Sequence, residues 1–151
     1  YGELIVSGAE ERGTREQADV IKNEFPYPVK TDENLARIGK IIFSLYFHKY
    51  DEKKLTEMSE PMIYSAMAWD RGFQDLLPGW SVLDRLKDLK TETLVIGALD
   101  DWVTPFEQCA KRLYENLPNS ELMVFEKSGH FPFIEEQTRF LEEVGDWISK
   151  R

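Results

Sequence analysis

Apolar residues recur along this chain in two spacings, and the spacings predict its elements. Leu4-Ile5-Val6 is a short apolar run closed by Ser7-Gly8, which reads as a buried strand followed by a turn. Residues 9–31 are polar and carry Gly13, Pro26 and Pro28, with a short helix over Arg15–Asn23 and an extended link over Phe25–Pro28. From Asp32 the pattern turns helical, because Leu35, Ile38, Ile41, Ile42, Leu45 and Tyr46 recur every three or four residues. Asp51 to Met58 adds a further short helix. Ser59-Glu60-Pro61 starts another, with Ser as N-cap and Pro in the first turn, and Met62, Ala66 and Trp69 share its face. Leu77-Pro78-Gly79 ends the helical block.

The pattern changes after Trp80. Val82, Leu83 and Leu86 suggest one helical turn. Thr93-Leu94-Val95-Ile96-Gly97 is a β-branched apolar run, a buried strand. Thr104-Pro105-Phe106-Glu107 has the form of a capping box with Pro at the first helical position. The expected helix places Phe106, Cys109, Ala110, Leu113 and Leu117 on one face. Leu122–Phe125 forms the next strand, and Phe140, Leu141, Val144, Trp147 and Ile148 mark an amphipathic C-terminal helix. Strands alternating with helices imply an α/β fold with parallel pairing.

Composition narrows the function classes. With 42% hydrophobic and 31% charged residues, the chain is too apolar to be disordered. The net charge of −9 and the lack of any Lys/Arg run longer than two argue against a nucleic-acid partner. No apolar run approaches the roughly 20 residues of a membrane helix, and no membrane partner is expected. No basic region followed by an apolar stretch stands at the N-terminus, so no secretion signal is expected. The single cysteine, Cys109, cannot form an internal disulfide and suits a cytoplasmic location. No His/Cys cluster has metal-ligand spacing and no Gly-rich phosphate loop is present, so neither metal nor cofactor is expected.

Reactive groups follow two of the strands. Asp100-Asp101-Trp102 comes after the strand ending at Gly97, and Ser128-Gly129-His130-Phe131 comes after the strand ending at Phe125. In open α/β sheets, ligands bind beyond the carboxyl ends of the strands. A carboxylate on one strand end and an imidazole on the next can meet. The acid then fixes the imidazole tautomer and stabilises its protonated form, and the second ring nitrogen becomes a general base. Taken singly, an Asp before a helix is a cap and a Ser-Gly-His sequence is a turn. On successive strand ends they point to catalysis.

Thr93–Gly97, Asp101-Trp102-Val103-Thr104-Pro105 and Ser128-Gly129-His130-Phe131-Pro132 resemble the acid and histidine motifs of the α/β-hydrolase fold. The finer resemblance is to proline iminopeptidase-like hydrolases of small substrates. The α/β-hydrolase resemblance implies Asp101 as triad acid and His130 as triad base. Asp100, one residue earlier, is the alternative acid, and the distance to Pro105 favours Asp101. Leu4–Ala9 is similar to the family's strand after the nucleophile helix, and residues 32–76 fall where the family inserts a helical cap. The implied architecture is a partial α/β-hydrolase fold, a three-stranded parallel half-sheet flanked by helices with an inserted cap. Its divisions are 1–31 (first strand and link), 32–79 (helical cap) and 80–151 (core with acid and histidine). Trp102 and Phe131, beside the acid and the base, and Trp69 of the cap are candidate substrate-binding residues. The cap aromatics Phe43, Tyr46, Phe47, Tyr50 and Phe73 are candidates to line a substrate pocket, but at helical spacing the core reading is favoured over it. Glu60 and Asp70 are candidates for a substrate amino group, with surface solvation as the competing reading. His48, beside Lys49, is expected on a helix facing solvent.

The nucleophile is missing from this pattern. A Gly-x-Ser-x-Gly elbow should precede the acid and the histidine. No serine has glycine two residues before and two after; Ser7 has Ile5 and Ala9 there. Cys109 falls on an apolar helix face and is expected to be buried. The oxyanion-hole loop of the early strands is missing as well. A base without a nucleophile or oxyanion donors cannot carry acyl transfer. The expectation is the C-terminal part of a serine hydrolase acting on a small ester, amide or aminoacyl-peptide, inactive alone. The alternative is a non-catalytic ligand-binding or protein-interaction module on the same scaffold. An open first-strand edge would pair with the missing N-terminal half or with a second copy.

Overall fold

The computed structural model describes residues 2–25, 27–53 and 62–151. Two compact units emerge, one of Tyr1–Leu45 with Tyr50–Trp80, the other of Tyr46–Lys49 with Ser81–Arg151.

The first unit is helical. α1 spans Gly2–Arg12, α2 Arg15–Asn23 and α3 Asp32–Ile42, and a 3-10 turn follows over Phe43–Tyr46. α1 corrects the expected first strand. A run of three apolar residues fits a strand or a buried helix turn equally, and its sequel Ala9-Glu10-Glu11-Arg12 favours helix. Ile5 and Ala9, four residues apart, are buried on one face, while Leu4 is exposed. α2 starts at a capping box in which Thr14 and Gln17 satisfy each other's backbone N–H groups. The buried Gln17 amide also donates to the Ile41 carbonyl (2.8 Å) and to Ser44 Oγ (2.7 Å), which ties α2 to the end of α3. Leu35, Ile38 and Ile42 form the buried face of α3, at the expected spacing.

α4 (Ala66–Asp70) starts at Ser65, whose hydroxyl accepts from the Ala68 amide, and runs into a π turn over Arg71–Leu76. Met62 therefore lies outside this helix, contrary to the expected start. The expected starter Ser59-Glu60-Pro61 and most of the Asp51–Met58 helix lie outside the described residues. Phe25, Trp69 and Phe73 form an aromatic cluster with ring centroids 4.4–5.9 Å apart. Asp70 is committed to the backbone. Its carboxylate accepts from the Val29 and Lys30 amides (2.7 and 3.1 Å) and braces Lys30, whose φ is +68°.

The second unit holds α5 (Leu83–Leu86), β1 (Thr93–Ala98), α6 (Ala110–Asn116), β2 (Ser120–Phe125), α7 (Pro132–Glu135) and α8 (Gln137–Ser149). β1 and β2 pair in parallel, from Thr93 opposite Ser120 to Ala98 opposite Phe125. Among the described residues the sheet has these two strands, where three were expected, because the Leu4–Val6 segment satisfies its backbone within α1. α6 packs on β1 at Gly97, where a Cβ would lie 2.7 Å from the Ala110 Cβ and 2.8 Å from Phe106. Phe125 is fully buried, against Phe140 and under the Arg139 guanidinium. On α8, Leu141 and Ile148 of the expected apolar stripe are exposed (65% and 63%), and no helix is long and apolar enough to cross a membrane among the described residues.

Candidate active site

β1 and β2 end side by side, and the turns that follow them build the site. The Leu99 amide donates to the Phe125 carbonyl (3.0 Å) and the Asp100 amide to the Ser128 carbonyl (3.2 Å), so the two turns continue the pairing of the strands. This brings Asp101 to His130. Asp101 Oδ2 lies 2.9 Å from His130 Nδ1 and accepts from the Thr104 hydroxyl at 2.5 Å. Its Oδ1 accepts from the Val103 and Thr104 amides at 2.8 and 3.0 Å.

Four donors converge on a carboxylate that is only 9% exposed. Burial by itself raises its pKa. The hydrogen bonds from His130 and Thr104 and the charge of His130 outweigh that, so Asp101 is held below the ordinary aspartate range. An ionised carboxylate only accepts hydrogen bonds. Nδ1 must then carry the proton, which leaves Nε2 as the basic nitrogen. Among the described residues Nε2 takes no hydrogen bond, and the His130 side chain is 32% exposed. A pocket of about 280 Å³ opens beside the pair, lined by Ile96, Ala98, Asp101, His130 and Phe133 among others.

Thr104 explains a second departure from expectation. Its hydroxyl is held by Asp101 instead of capping a helix, and residues 106–109 form turns. The regular helix α6 begins at Ala110, with Cys109 at its N-cap in a non-helical conformation. Cys109 is half-buried, and burial, then the negative charge of Asp101, pushes its thiol pKa up, against a weaker downward pull from Arg112. A thiol kept protonated is a poor nucleophile. Ser128, two residues before His130, is fully buried and donates to Glu136 Oε2 (2.7 Å). Ser120 and Ser149 donate to backbone carbonyls, and Ser81 accepts from the Leu83 amide. The serines of this unit are thus bound up in its own structure.

The remaining predicted residues fall as follows. Phe131 is half-buried, edge-on to His130 and stacked on Tyr46. Trp102 is 4% exposed with its ring edge-on to Tyr46. Trp69 belongs to the helical unit and packs on Phe25 and Phe73. Asp100 does not pair with His130. It pairs with His48 Nδ1, in a bend rather than on a helix and only 27% exposed, which corrects the solvent-facing helical reading. Glu60 lies outside the described residues.

Sequence reasoning gave Glu135 and Glu136 no place at the site, and it read Tyr46 only as a cap aromatic and His48 only as a surface residue. Tyr46 stands edge-on to His130 at 5.5 Å, and its carbonyl accepts the His130 amide at 2.7 Å. The adjacent acids hold the histidine turn: Glu136 accepts from the Lys127 amide and Ser128, and Glu135 from the Gly129 amide. A pair of acids five and six residues after the histidine of a Gly-His turn was the available signal. Among the described residues, no group of three or more His, Cys, Asp or Glu could hold a metal ion.

No family model matches the chain. Over 72 residues, 48% of its length, it is 40% identical to a proline iminopeptidase of Lactobacillus delbrueckii subsp. bulgaricus. Over 73 residues it is 34% identical to a proline iminopeptidase of Clostridioides difficile. Each match spans 24% of the relative's own length. Among solved structures, an esterase from Exiguobacterium antarcticum aligns with a TM-score of 0.64 at 23% identity, covering 98% of this chain and 48% of that one. An alpha/beta fold family hydrolase from Bacillus anthracis aligns with a TM-score of 0.68 at 20% identity, covering 96% and 54%. The chain spans about half the length of these structural relatives. It has a partial α/β-hydrolase fold, and about half of it is similar to proline iminopeptidases.

Proposed function

We propose that this chain supplies the acid and base of a serine-type hydrolase acting on a small ester, amide or aminoacyl-peptide. Asp101 is the triad acid and His130 the base. The observation that carries the reading is the 2.9 Å contact between Asp101 Oδ2 and His130 Nδ1 at the ends of paired parallel strands. In this mechanism Nε2 takes the proton of the attacking hydroxyl, and Asp101 stabilises the resulting imidazolium; Nε2 then protonates the leaving group. The nucleophile is supplied from outside these residues. Support comes from the lack of a Gly-x-Ser-x-Gly elbow in the sequence and from the commitments of Ser128 and Cys109.

Phe131, Trp102 and Trp69 are proposed substrate contacts, the last on the sequence alone. The proposed partner is the nucleophile-bearing part of the protein, or a second copy, pairing along the outer edge of β1; the exposed Leu141 and Ile148 support a covered face. The lone cysteine supports a cytoplasmic location. A non-catalytic binding module is the second reading, favoured by the missing nucleophile and the pocket beside His130.

Turnover of aryl esters and aminoacyl arylamides separates these readings. The chain alone should show none, and turnover abolished by His130→Ala in it would refute the external nucleophile. The protein encoded by the full reading frame should turn them over through His130, and the binding-module reading predicts that it does not.

A further inference from the structure

Glu135 lies five residues after His130, and its carboxylate is shared among three backbone amides. Oε2 accepts from the Gly129 amide at 2.7 Å and the His48 amide at 3.1 Å, and Oε1 accepts from the Lys49 amide at 2.9 Å. It therefore binds two separate stretches of chain, the histidine turn and the strap Tyr46–Lys49. The strap in turn holds His130, because the Tyr46 carbonyl accepts the His130 amide at 2.7 Å. Contact between the two stretches is close enough to require glycine. A Cβ on Gly129 would fall 2.3 Å from the Tyr46 carbonyl oxygen and 3.0 Å from the His48 nitrogen. The strap has a second anchor through the side chain of His48, which pairs with Asp100 beside Asp101.

We infer that Glu135 is a positioning residue for His130. It fixes the backbone of the histidine turn against the strap, so that the imidazole meets Asp101 in one orientation. Hydrogen bonds to a carboxylate are about twice as strong as neutral ones, and three of them from one side chain lock both stretches together. The neighbouring Glu136 holds residues 127 and 128 and makes no bond to the strap among the described residues. Loss of Glu135 should therefore loosen Gly129, His130, His48 and Lys49 while leaving Lys127 and Ser128 in place. The inference deepens the proposed function, since it rests on His130 acting as the base.

The test is NMR on the 151-residue chain and its Glu135→Ala and Glu135→Gln variants. In Glu135→Ala the amides of Gly129, His130, His48 and Lys49 should exchange at least about tenfold faster, while those of Val95 and Val124 on the strands do not change. The His130 Nδ1 proton, held by Asp101, should broaden or vanish. Glu135→Gln retains one carbonyl acceptor and should restore part of the protection and the Nδ1 signal. Should Glu135→Ala fail to fold, Glu135→Gln is read alone, with intermediate exchange at the same four amides expected. Unchanged exchange there, or an unchanged Nδ1 proton with faster exchange, would overturn the inference. Failure of the catalytic reading is separate: an active His130→Ala full-frame protein would leave these exchange results intact.

Discussion

Replacing Asp101 by asparagine removes the charge and keeps the shape. In the wild type, Oδ1 serves the Val103 and Thr104 amides, and Oδ2 serves His130 Nδ1 and the Thr104 hydroxyl. The asparagine carbonyl can keep the two amides. Its NH2 group then faces two former donors, so Thr104 must rotate to accept and His130 must move its proton to Nε2. All four bonds lose their charge assistance, about 1 kcal/mol each, and the relief from burying a charge offsets roughly half of that, so the second unit should lose about 2 kcal/mol at pH 7. With the side chain 9% exposed, solvent screens little of this. Urea denaturation of the 151-residue chain, followed by the signal of its tryptophans, measures the loss. Ring 15N shifts report the tautomer of His130, with Nδ1–H expected in the wild type and Nε2–H in Asp101→Asn. A variant within about 0.5 kcal/mol of wild type and with an unchanged tautomer would mean that Asp101 sets neither stability nor proton position.

Two further predictions concern packing and pH. Gly97→Ala places a methyl group 2.7 Å from the Ala110 Cβ, and it should destabilise the chain by about 1–3 kcal/mol in the same urea assay; a neutral result would mean that α6 is free to move off β1. Asp101 and Glu136 are both held below their ordinary ranges. For Glu136, burial acts upward and the bonds from Ser128, Lys127 and Arg139 prevail. Both groups bind protons more weakly folded than unfolded, so their stabilisation is complete above the unfolded values of 3.8 and 4.5 and fades as pH falls through the depressed folded ones. Stability should therefore fall steeply from about pH 5 downward, and the Asp101→Asn curve should be shallower there; equal slopes would remove Asp101 from the linkage.

The elements legible in the sequence are those whose signals are local and unshared. Thr14 and Gln17 close a capping box, and α2 begins there. The Leu35, Ile38, Ile42 spacing becomes the buried face of α3. Thr93–Gly97 and Leu122–Phe125 became paired strands, and the paired acid and histidine followed from their ends. What was not legible depended on competition or distance. Leu4–Val6 is too short to distinguish strand from helix, and the helix won by satisfying its own backbone. The Thr104 hydroxyl could cap the expected helix or donate to Asp101, and the charge-assisted bond to the buried carboxylate prevailed. His48 carried no local signal, because its partner Asp100 lies 52 residues away. Glu135 reaches 86 and 87 residues back to the strap, beyond any motif spacing.

The proposed role of His130, poised by Asp101, as the base of a hydrolase stands or falls on steady-state turnover of an aryl ester and an aminoacyl arylamide by the protein of the full reading frame, wild type against His130→Ala. kcat should fall by at least about a thousandfold with KM little changed, since a general base acts in the transition state more than in substrate binding. An unchanged kcat in His130→Ala would contradict that role.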